Sequence, residues 1–212
     1  MDIDFQGHLN AVERSVEYVE REGKAAAAVT LSRSFEASAE ELWDAVSNAE
    51  RIPRWFLPVS GDLKTGGRFQ LEGNAGGEIL ACEPVSRFAA TWEFGGDVSW
   101  VDVSVENLEG SARLTLTHTA LLSPHWDEYG AGATGVGWEM GLMGLAIHLE
   151  HPDAPLPEED AFTDTPEGKA FIADCSAAWA AASVSAGTDR EAAYAAGRST
   201  TAFYTGESES AE

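Results

Sequence analysis

The feature that most constrains the fold is a run of five short segments between Gly67 and Thr119 in which apolar and polar residues alternate. Alternation of this length is typical of strands that have one buried face. The connections between the segments are short and rich in glycine, proline and asparagine, the residues that favour tight turns. The sequence therefore predicts an antiparallel meander of five strands, at 67–72, 77–82, 87–94, 98–105 and 112–119.

The residues before the meander predict a helix and then a strand. In residues 1–23 apolar side chains recur at helical spacing, which predicts an amphipathic helix that Gly23 would end; these side chains are Leu9, Val12, Val16 and Val19. Residues 25–35 alternate and are predicted to form a strand.

Two short helices are predicted between that strand and the meander. Ser38 with Glu41 three residues later forms a capping-box pattern, which predicts a helix start at Ser38. A second helix is predicted over 48–55, although Pro53 conflicts with a regular helix there.

Helices are also predicted after the meander. Trp138, Leu142, Leu145 and Leu149 share one face of a long helix over about 136–150. Each glycine in this helix lowers helix stability by about 1 kcal/mol relative to alanine. Glycine allows a backbone to come close to a neighbour, so we expect this helix to approach the concave face of the sheet or a ligand. Thr165 with Pro166 predicts the start of a second helix, and a third is predicted from Asp189 to about Gly197.

Composition excludes several classes of function. Acidic residues outnumber basic ones by 36 to 13, and the formal charge of −23 disfavours nucleic acids and anionic membrane surfaces as partners. The two cysteines form no CxxC motif and the N-terminus has no apolar leader pattern, so we expect a cytoplasmic protein. Nucleophile and phosphate-loop motifs are absent from the sequence, and no cofactor is expected.

Several motifs follow one another in a recognisable order: 34–46, Arg51-Ile52-Pro53-Arg54-Trp55-Phe56, Gly66-Gly67-Arg68-Phe69, Gly77-Glu78-Ile79-Leu80 with Glu83-Pro84, Thr91-Trp92-Glu93, Thr115-Leu116-Thr117-His118 and Gly135-Val136-Gly137-Trp138. Together with the order of elements, they resemble the START-like (SRPBCC) superfamily, in particular the branch named after the activator of the heat-shock-protein-90 ATPase. The resemblance implies an α+β helix-grip fold, a curved antiparallel sheet wrapped round a long C-terminal helix.

The chain is accordingly divided into four parts. Residues 1–23 are the N-terminal helical segment and 24–151 the helix-grip domain. Residues 152–205 are predicted to be a Pro-rich linker with a helical extension, and 206–212 a disordered acidic tail.

A helix-grip fold implies a cavity between the sheet and the long helix, and such cavities bind apolar ligands. The period of two places Phe88, Ala90, Trp92 and Phe94 on one inward face. Ile79 and Leu80 compete for the inward position of their strand. The candidate ligand-binding residues are Trp55, Phe56, Phe69, Leu71, Phe88, Ala90, Trp92, Phe94, Val103, Leu116, His118, Trp138, Gly141 and Leu142.

Some of these residues allow two interpretations. His118 is a candidate for catalysis as an acid or base, or for binding a ligand oxygen. The rule that buried polar groups are paired favours the other interpretation, a buried neutral histidine with one partner. The tryptophans Trp92 and Trp138 could stack on a flat ligand or simply fill the core. Trp55 and Phe56 could form a lid or pack beneath the short helices. A metal is not expected, because His148 and His151 lack a third ligand.

Three functions therefore remain open. The first is the binding of a small apolar or aromatic molecule, with His118 fixing its orientation. The second is a cyclase- or hydrolase-like enzyme that uses the same cavity. The third is a co-chaperone or regulatory protein that acts through a protein partner. Formation of a homodimer, with the C-terminal extension or Trp100 at the interface, is also left open.

Overall fold

The structure is a computed structural model, and it describes residues 3–153 and 162–207. Eight strands are seen in this part of the chain: β1 (Glu13–Arg21), β2 (Lys24–Phe35), β3 (Val59–Gly61), β4 (Arg68–Leu71), β5 (Gly76–Glu83), β6 (Arg87–Phe94), β7 (Asp97–Leu108) and β8 (Ser111–Leu121). The helices are α1 (Phe5–Asn10), α2 (Ala39–Ser47), a 3₁₀ turn (Ile52–Arg54), α3 (Pro124–Tyr129), α4 (Gly132–Glu150), α5 (Pro166–Ser185) and α6 (Arg190–Thr205).

The strands form one sheet with the order β1-β2-β8-β7-β6-β5-β4-β3. Strands β3 to β8 follow one another as an antiparallel meander, in which β7 and β8 pair over nine positions from Trp100–Thr119 to Leu108–Ser111. The predicted five-stranded meander is confirmed, with one short strand added before it. The α+β helix-grip prediction is also confirmed.

The predicted N-terminal helix is wrong over most of its length. Only Phe5–Asn10 is helical, and Glu13–Arg21 is a strand. A spacing of four residues between Val12 and Val16 suits a helix face, but it also suits one face of a strand, because four is a multiple of two. The deciding residues are Glu22 and Gly23, which both adopt positive φ (54° and 74°) and so form the tight hairpin turn into β2.

The capping prediction for α2 is confirmed, since the Ser38 hydroxyl accepts a hydrogen bond from the Glu41 amide at 3.2 Å. The second predicted helix is only the 3₁₀ turn Ile52–Arg54, with Pro53 inside it. This shortening agrees with the missing amide of proline, which cannot support a longer α-helix.

The helices after the sheet begin as predicted or earlier. Helix α4 starts at Gly132 instead of about 136, and α5 has Thr165 as its N-cap with Pro166 in its first turn. Helix α6 continues to Thr205, beyond the predicted end at Gly197. Much of the predicted linker (154–161) and most of the acidic tail (208–212) lie outside the described residues.

The chain divides into two compact units. The terminal unit contains the described residues of Met1–Leu31, Leu121–Met140 and Pro157–Glu212; the central unit contains Ser32–Ala120 and those of Gly141–Leu156. The four-part domain division made from the sequence stays a prediction.

A buried ion pair lies inside the terminal unit. The Arg14 guanidinium donates to both carboxylate oxygens of Glu139, at 2.7 Å from Nε and 2.5 Å from Nη2, and Glu139 is almost completely buried. The Cys175 thiol donates to the same carboxylate at 3.2 Å. Burial, followed by the charge of Glu139, raises the pKa of Cys175, so this thiol stays protonated. Removing one member of such a group leaves a buried charge without its partner.

The glycines of α4 approach other elements closely, as predicted, but two of their neighbours belong to the C-terminal helices. A Cβ at Gly135 would overlap the indole of Trp179, and one at Gly137 would lie 2.9 Å from the Tyr204 hydroxyl oxygen. Both pairs lie in the terminal unit. The first half of α4 is therefore rich in glycine because α5 and α6 pack against it.

Candidate functional site

The candidate site is the inward face of the sheet in the central unit. Residues directly opposite each other in an antiparallel pair share a face, and the register joins Phe88 to Val103, Ala90 to Val101, and Val103 to Leu116. Val101, in turn, lies opposite His118. The alternation predicted from the sequence therefore places these side chains together on one apolar surface.

The candidate residues differ in how far they are buried. Those that are fully buried are Leu71, Ala90, Val103, Leu116, His118, Gly141 and Leu142. Those that are half-buried are all aromatic: Trp55, Phe56, Phe69, Phe88, Trp92 and Trp138. Trp138 belongs to the terminal unit, while the others lie in the central unit. Of Ile79 and Leu80, Ile79 takes the inward position of the strand: its side chain is buried, whereas that of Leu80 is exposed.

Phe94 requires a correction. It has the same parity as Trp92, but its side chain is 59% exposed. It is the last residue of β6 and pairs with Asp97, the first residue of β7, across the turn at Gly95 and Gly96, so it lies at the exposed end of this hairpin. Its part in ligand binding stays a prediction.

The half-buried rings of the central unit form pairs. The ring centroids of Phe69 and Trp92 lie 6.3 Å apart, and those of Trp55 and Phe56 lie 5.4 Å apart in a stacked arrangement. The Trp55 indole also donates to the Ala45 carbonyl at 2.8 Å, which fixes this ring against α2. The pairing leaves part of each ring accessible.

Another aromatic pair was missed by the sequence prediction. Phe88 meets Trp43 of α2 edge-to-face at 6.1 Å. Trp43 directly follows Leu42, which is completely buried in α2, and this position could have suggested its contact with the sheet.

His118 lies next to Trp92 and is joined to Ser99 by a 2.8 Å hydrogen bond from Nε2 to the hydroxyl oxygen. The Ser99 hydroxyl proton is donated to the Trp92 carbonyl at 3.1 Å, so Nε2 of His118 acts as the donor to Ser99. Burial lowers the pKa of His118 to about 4, and the ring is neutral at pH 7. The geometry agrees with a buried neutral histidine. Ser99 was missed, although its parity with Val101 could have revealed it.

A second histidine belongs to a polar network between α2 and the end of α4. The Arg51 Nε donates to Nε2 of His148 at 3.2 Å, while its two terminal nitrogens reach Asp44 at 2.9 Å and Glu41 at 2.8 Å. Burial and then the Arg51 charge lower the pKa of His148. The network stabilises the position of the 3₁₀ turn that carries Trp55. Sequence reasoning did not find it, because Arg51 and His148 lie far apart in the chain.

Metal coordination finds no support in these histidines. Within residues 3–153 and 162–207, no three His, Cys, Asp or Glu side chains are grouped so that they could hold a metal ion. The Nε2 atom of His148 is already engaged by Arg51.

The sequence matches the family model described as "Activator of Hsp90 ATPase homolog 1-like protein" over residues 36–150, which is more than half of the chain. The chain belongs to this family. The match covers most of the central unit together with α3 and the whole of α4, and it confirms the resemblance that the motifs indicated. The family assignment fixes the fold and leaves the ligand open, because one fold can carry many functions.

Solved structures agree with the assignment. The crystal structure of CalU16 from Micromonospora echinospora is 30% identical, covers 81% of this chain and 98% of its own, and has a TM-score of 0.66. The solution structure of the same protein gives 31% identity, 83% and 97% coverage and a TM-score of 0.71. Since this coverage exceeds that of the family model, CalU16 shares residues with the chain outside 36–150.

More distant relatives show the fold alone. An HSP90 activator from Plasmodium falciparum is 23% identical over 58% of this chain and 94% of its own, with a TM-score of 0.50. The Aha1 dimer from Colwellia psychrerythraea is 16% identical over 60% of this chain and 98% of its own, with the same TM-score. No curated protein matches the sequence. In the described ranges, none of the helices has the length and apolar character needed to cross a bilayer.

Proposed function

We propose that the inward face of the central unit binds a small, flat, apolar molecule. The observation that carries this proposal is the set of aromatic rings that are neither buried nor exposed: Trp55, Phe56, Phe69, Phe88 and Trp92. The aliphatic residues beside them, such as Ala90 and Val103, are buried. A surface that only served the core would bury its largest rings first, since they contribute most to the hydrophobic effect.

The chemistry of this face favours a neutral ligand. Its one titratable group among the candidate residues is His118, whose pKa of about 4 leaves it uncharged at pH 7. The formal charge of −23 on the whole chain further disfavours anions. Aromatic rings bind other flat π-systems in offset or edge-to-face arrangements, so Phe69 and Trp92 are the expected first contacts of an aromatic ligand.

A neutral flat probe tests the proposal. N-phenyl-1-naphthylamine becomes fluorescent in apolar surroundings, and we expect saturable binding to the purified protein. Trp92→Ala should weaken that binding at least fivefold, because it removes a large half-buried ring from the inward face of the sheet. Native mass spectrometry of the same preparation, compared with its denatured mass, would show any molecule that co-purifies.

Two controls make the result specific. Phe203→Ala removes a more exposed ring from the terminal unit and should leave probe affinity unchanged. Phe94→Ala tests the sequence-based assignment of that residue separately. Equal probe binding by Trp92→Ala and the unaltered protein would contradict the proposal.

The two other functions are weighed by specific observations. An enzyme that uses His118 as a general acid or base near pH 7 is disfavoured, because the pKa of this ring, about 4, lies well below the working pH. A role with a protein partner is compatible with the fold shared with an HSP90 activator and with a relative described as a dimer. Mixing with purified HSP90, and light scattering of the protein alone, would test that role without involving the ligand face.

The two free cysteines, Cys82 and Cys175, agree with the cytoplasmic location expected from the sequence.

A further inference from the structure

A row of four aromatic side chains crosses the surface of the terminal unit. Tyr18 of β1 meets Trp126 of α3 edge-to-face at 6.3 Å, and Tyr129 of α3 lies 5.5 Å from Phe203 of α6. Trp126 and Tyr129 are three residues apart on one helix and therefore neighbours on its surface. We call Tyr18, Trp126, Tyr129 and Phe203 the aromatic row.

The aromatic row is exposed at both ends and held in place. Phe203 is 61% exposed and Tyr18 is 46% exposed, while Trp126 and Tyr129 are half-buried between them. The Tyr18 hydroxyl is hydrogen-bonded to Thr188 at 2.6 Å, and Thr200 of α6 donates to the Tyr129 carbonyl at 2.8 Å. The first bond holds the Tyr18 ring and the second holds the backbone of α3 against α6, and groups that are already ordered lose less conformational entropy when a partner covers them.

Uncompensated negative charge lies beside the row. Asp127 and Glu128 lie between its two α3 members in the sequence and are exposed on the flanks of that helix, where the Glu128 side chain is hydrogen-bonded to that of Tyr129. Glu20 lies on the same face of β1 as Tyr18, two residues further on. Over the described ranges 3–153 and 162–207, none of these three carboxylates has a Lys or Arg partner within ion-pair distance. A ligand that offered positive charge next to apolar groups would match both features.

We propose that the aromatic row is a docking surface for a cationic amphipathic peptide segment of another protein. Apolar side chains of the segment would cover the four rings, and its Lys or Arg side chains would lie beside Glu20, Asp127 and Glu128. The row extends on the order of 15 Å, given ring spacings like those above and about 5–6 Å between helix neighbours. About three turns of a helix span that distance.

Charge decides between this partner and a second copy of the chain. Self-association through the row would bring two acidic rims together, on molecules that each carry a formal charge of −23. Like charges placed opposite each other across an interface disfavour association. The chain has only 13 Lys and Arg residues to offset this repulsion.

Peptides of defined pattern test the proposal on the full-length protein. The probe is a fluorescently labelled 18-residue peptide with Leu and Trp on one helical face and Lys on the other. We expect Phe203→Ser to weaken its binding at least fivefold, and Asp127→Asn with Glu128→Gln to weaken it by a similar factor and reduce its salt dependence. Fluorescence anisotropy at two salt concentrations measures both effects.

Matched controls separate this surface from general attraction to an acidic protein. Phe94→Ser removes an equally exposed ring from the central unit, and Glu72→Gln with Glu109→Gln removes two exposed charges there. Both should bind the Lys peptide as the unaltered protein does. A peptide with Glu in place of Lys, and one with Ser in place of Leu and Trp, should bind at least tenfold more weakly.

Three results would overturn the inference. One is equal binding of the Lys peptide by Phe203→Ser and the Phe94→Ser control. Another is an equal loss of binding in the Asp127→Asn, Glu128→Gln variant and in the Glu72→Gln, Glu109→Gln control. The third is a concentration-dependent dimer in analytical ultracentrifugation that Phe203→Ser abolishes, since the row would then be covered by a second copy.

Discussion

Trp179 combines complete burial with an unsatisfied polar atom. It is the largest fully buried side chain of the described residues, and in this part of the chain its indole N–H has no hydrogen-bond acceptor. A buried donor without a partner costs about 1–3 kcal/mol. Trp179→Phe removes this donor together with some packing volume, so the two effects oppose each other.

We therefore predict that Trp179→Phe changes the free energy of unfolding by less than about 1 kcal/mol, while Trp179→Ala lowers it by about 3–5 kcal/mol. Trp55→Phe is the matched control, because the Trp55 indole N–H does have an acceptor at the Ala45 carbonyl. It should cost more than Trp179→Phe despite the lower burial of Trp55. Denaturant unfolding followed by circular dichroism measures all three, and a Trp179→Phe cost above that of Trp55→Phe would contradict the argument.

His118 should make stability depend on pH. Its folded-state pKa of about 4 lies below the ordinary value of 6.5, so the unfolded chain binds a proton between these pH values that the folded protein does not. Stability from this group is present above pH 6.5 and is lost as the pH falls towards 4, by about 3 kcal/mol in total.

His118→Gln should remove this contribution, since the glutamine amide can still donate to Ser99 but does not titrate. The unfolding free energy of both proteins is measured from pH 7 to pH 4, and their difference should shrink as the pH falls. His125→Gln alters an exposed histidine and should follow the unaltered protein. A constant difference between His118→Gln and the unaltered protein over this range would count against the prediction.

At the residue scale, the sequence predicts side-chain direction well and partners poorly. Alternation was sufficient to place Val101, Val103 and His118 on one face, because the period of a strand is local. The pairing of Arg51 with His148 joins residues that are remote in the chain. The pairing of Arg14 with Glu139 is just as remote, and no local pattern signals either of them.

At the scale of elements, α4 contains two glycines with opposite roles. A Cβ at Gly135 would overlap the Trp179 indole, whereas one at Gly141 would lie 3.5 Å from a Phe56 ring atom, an ordinary contact. Both positions gain about 1 kcal/mol of helix propensity from alanine. The distance to the nearest neighbouring atom therefore decides whether alanine stabilises or destabilises the protein at each position.

We predict that Gly135→Ala destabilises the protein by more than about 2 kcal/mol, as overpacking of a dense core typically does. Gly141→Ala should be neutral or should stabilise the protein by up to about 1 kcal/mol. Thermal unfolding of the two variants side by side measures the difference. Equal effects at the two positions would show that propensity, and not packing, governs α4.

The predicted elements were correct where a cap or a turn residue fixed their ends. Ser38 and Thr165 start helices as expected. The first segment was assigned to a helix because four apolar residues fit its spacing, and the β-branched side chains of β1 fit a strand equally well. Gly197 does not end α6; it is the position at which α6 approaches Ser176 and Ala180 of α5 closely, where a larger side chain would be crowded.

At the scale of the whole molecule, the N- and C-terminal parts of the chain belong to one compact unit. The resemblance that the sequence offered covers only the central part, and periodicity within a helix does not say which other helix or strand it packs against. Sequence analysis therefore could not show which helices and strands make up the terminal unit. CalU16, which aligns with 81% of the chain, shares part of what lies outside the family match.

Removal of residues 152–212 tests whether the terminal unit depends on its C-terminal helices. Helix α5 provides a buried face that includes Phe171, Ile172 and Trp179, and it packs against β1 and α6. Without it, the carboxylate of Glu139 loses the Cys175 donor and Gly135 loses the indole packed against it. We predict that the truncated chain loses the stable fold of the terminal unit.

Hydrogen exchange followed by mass spectrometry locates the effect. Amides of β1 should exchange much faster in the truncated chain than in the full-length protein, because the buried Arg14–Glu139 pair would become accessible to water and weaken. Amides of β7 that pair with β8, from Trp100 to Leu108, serve as the internal comparison in the central unit. Unchanged protection of β1 in the truncated chain would mean that residues 152–205 form a separate extension, as the sequence-based division of the chain predicted.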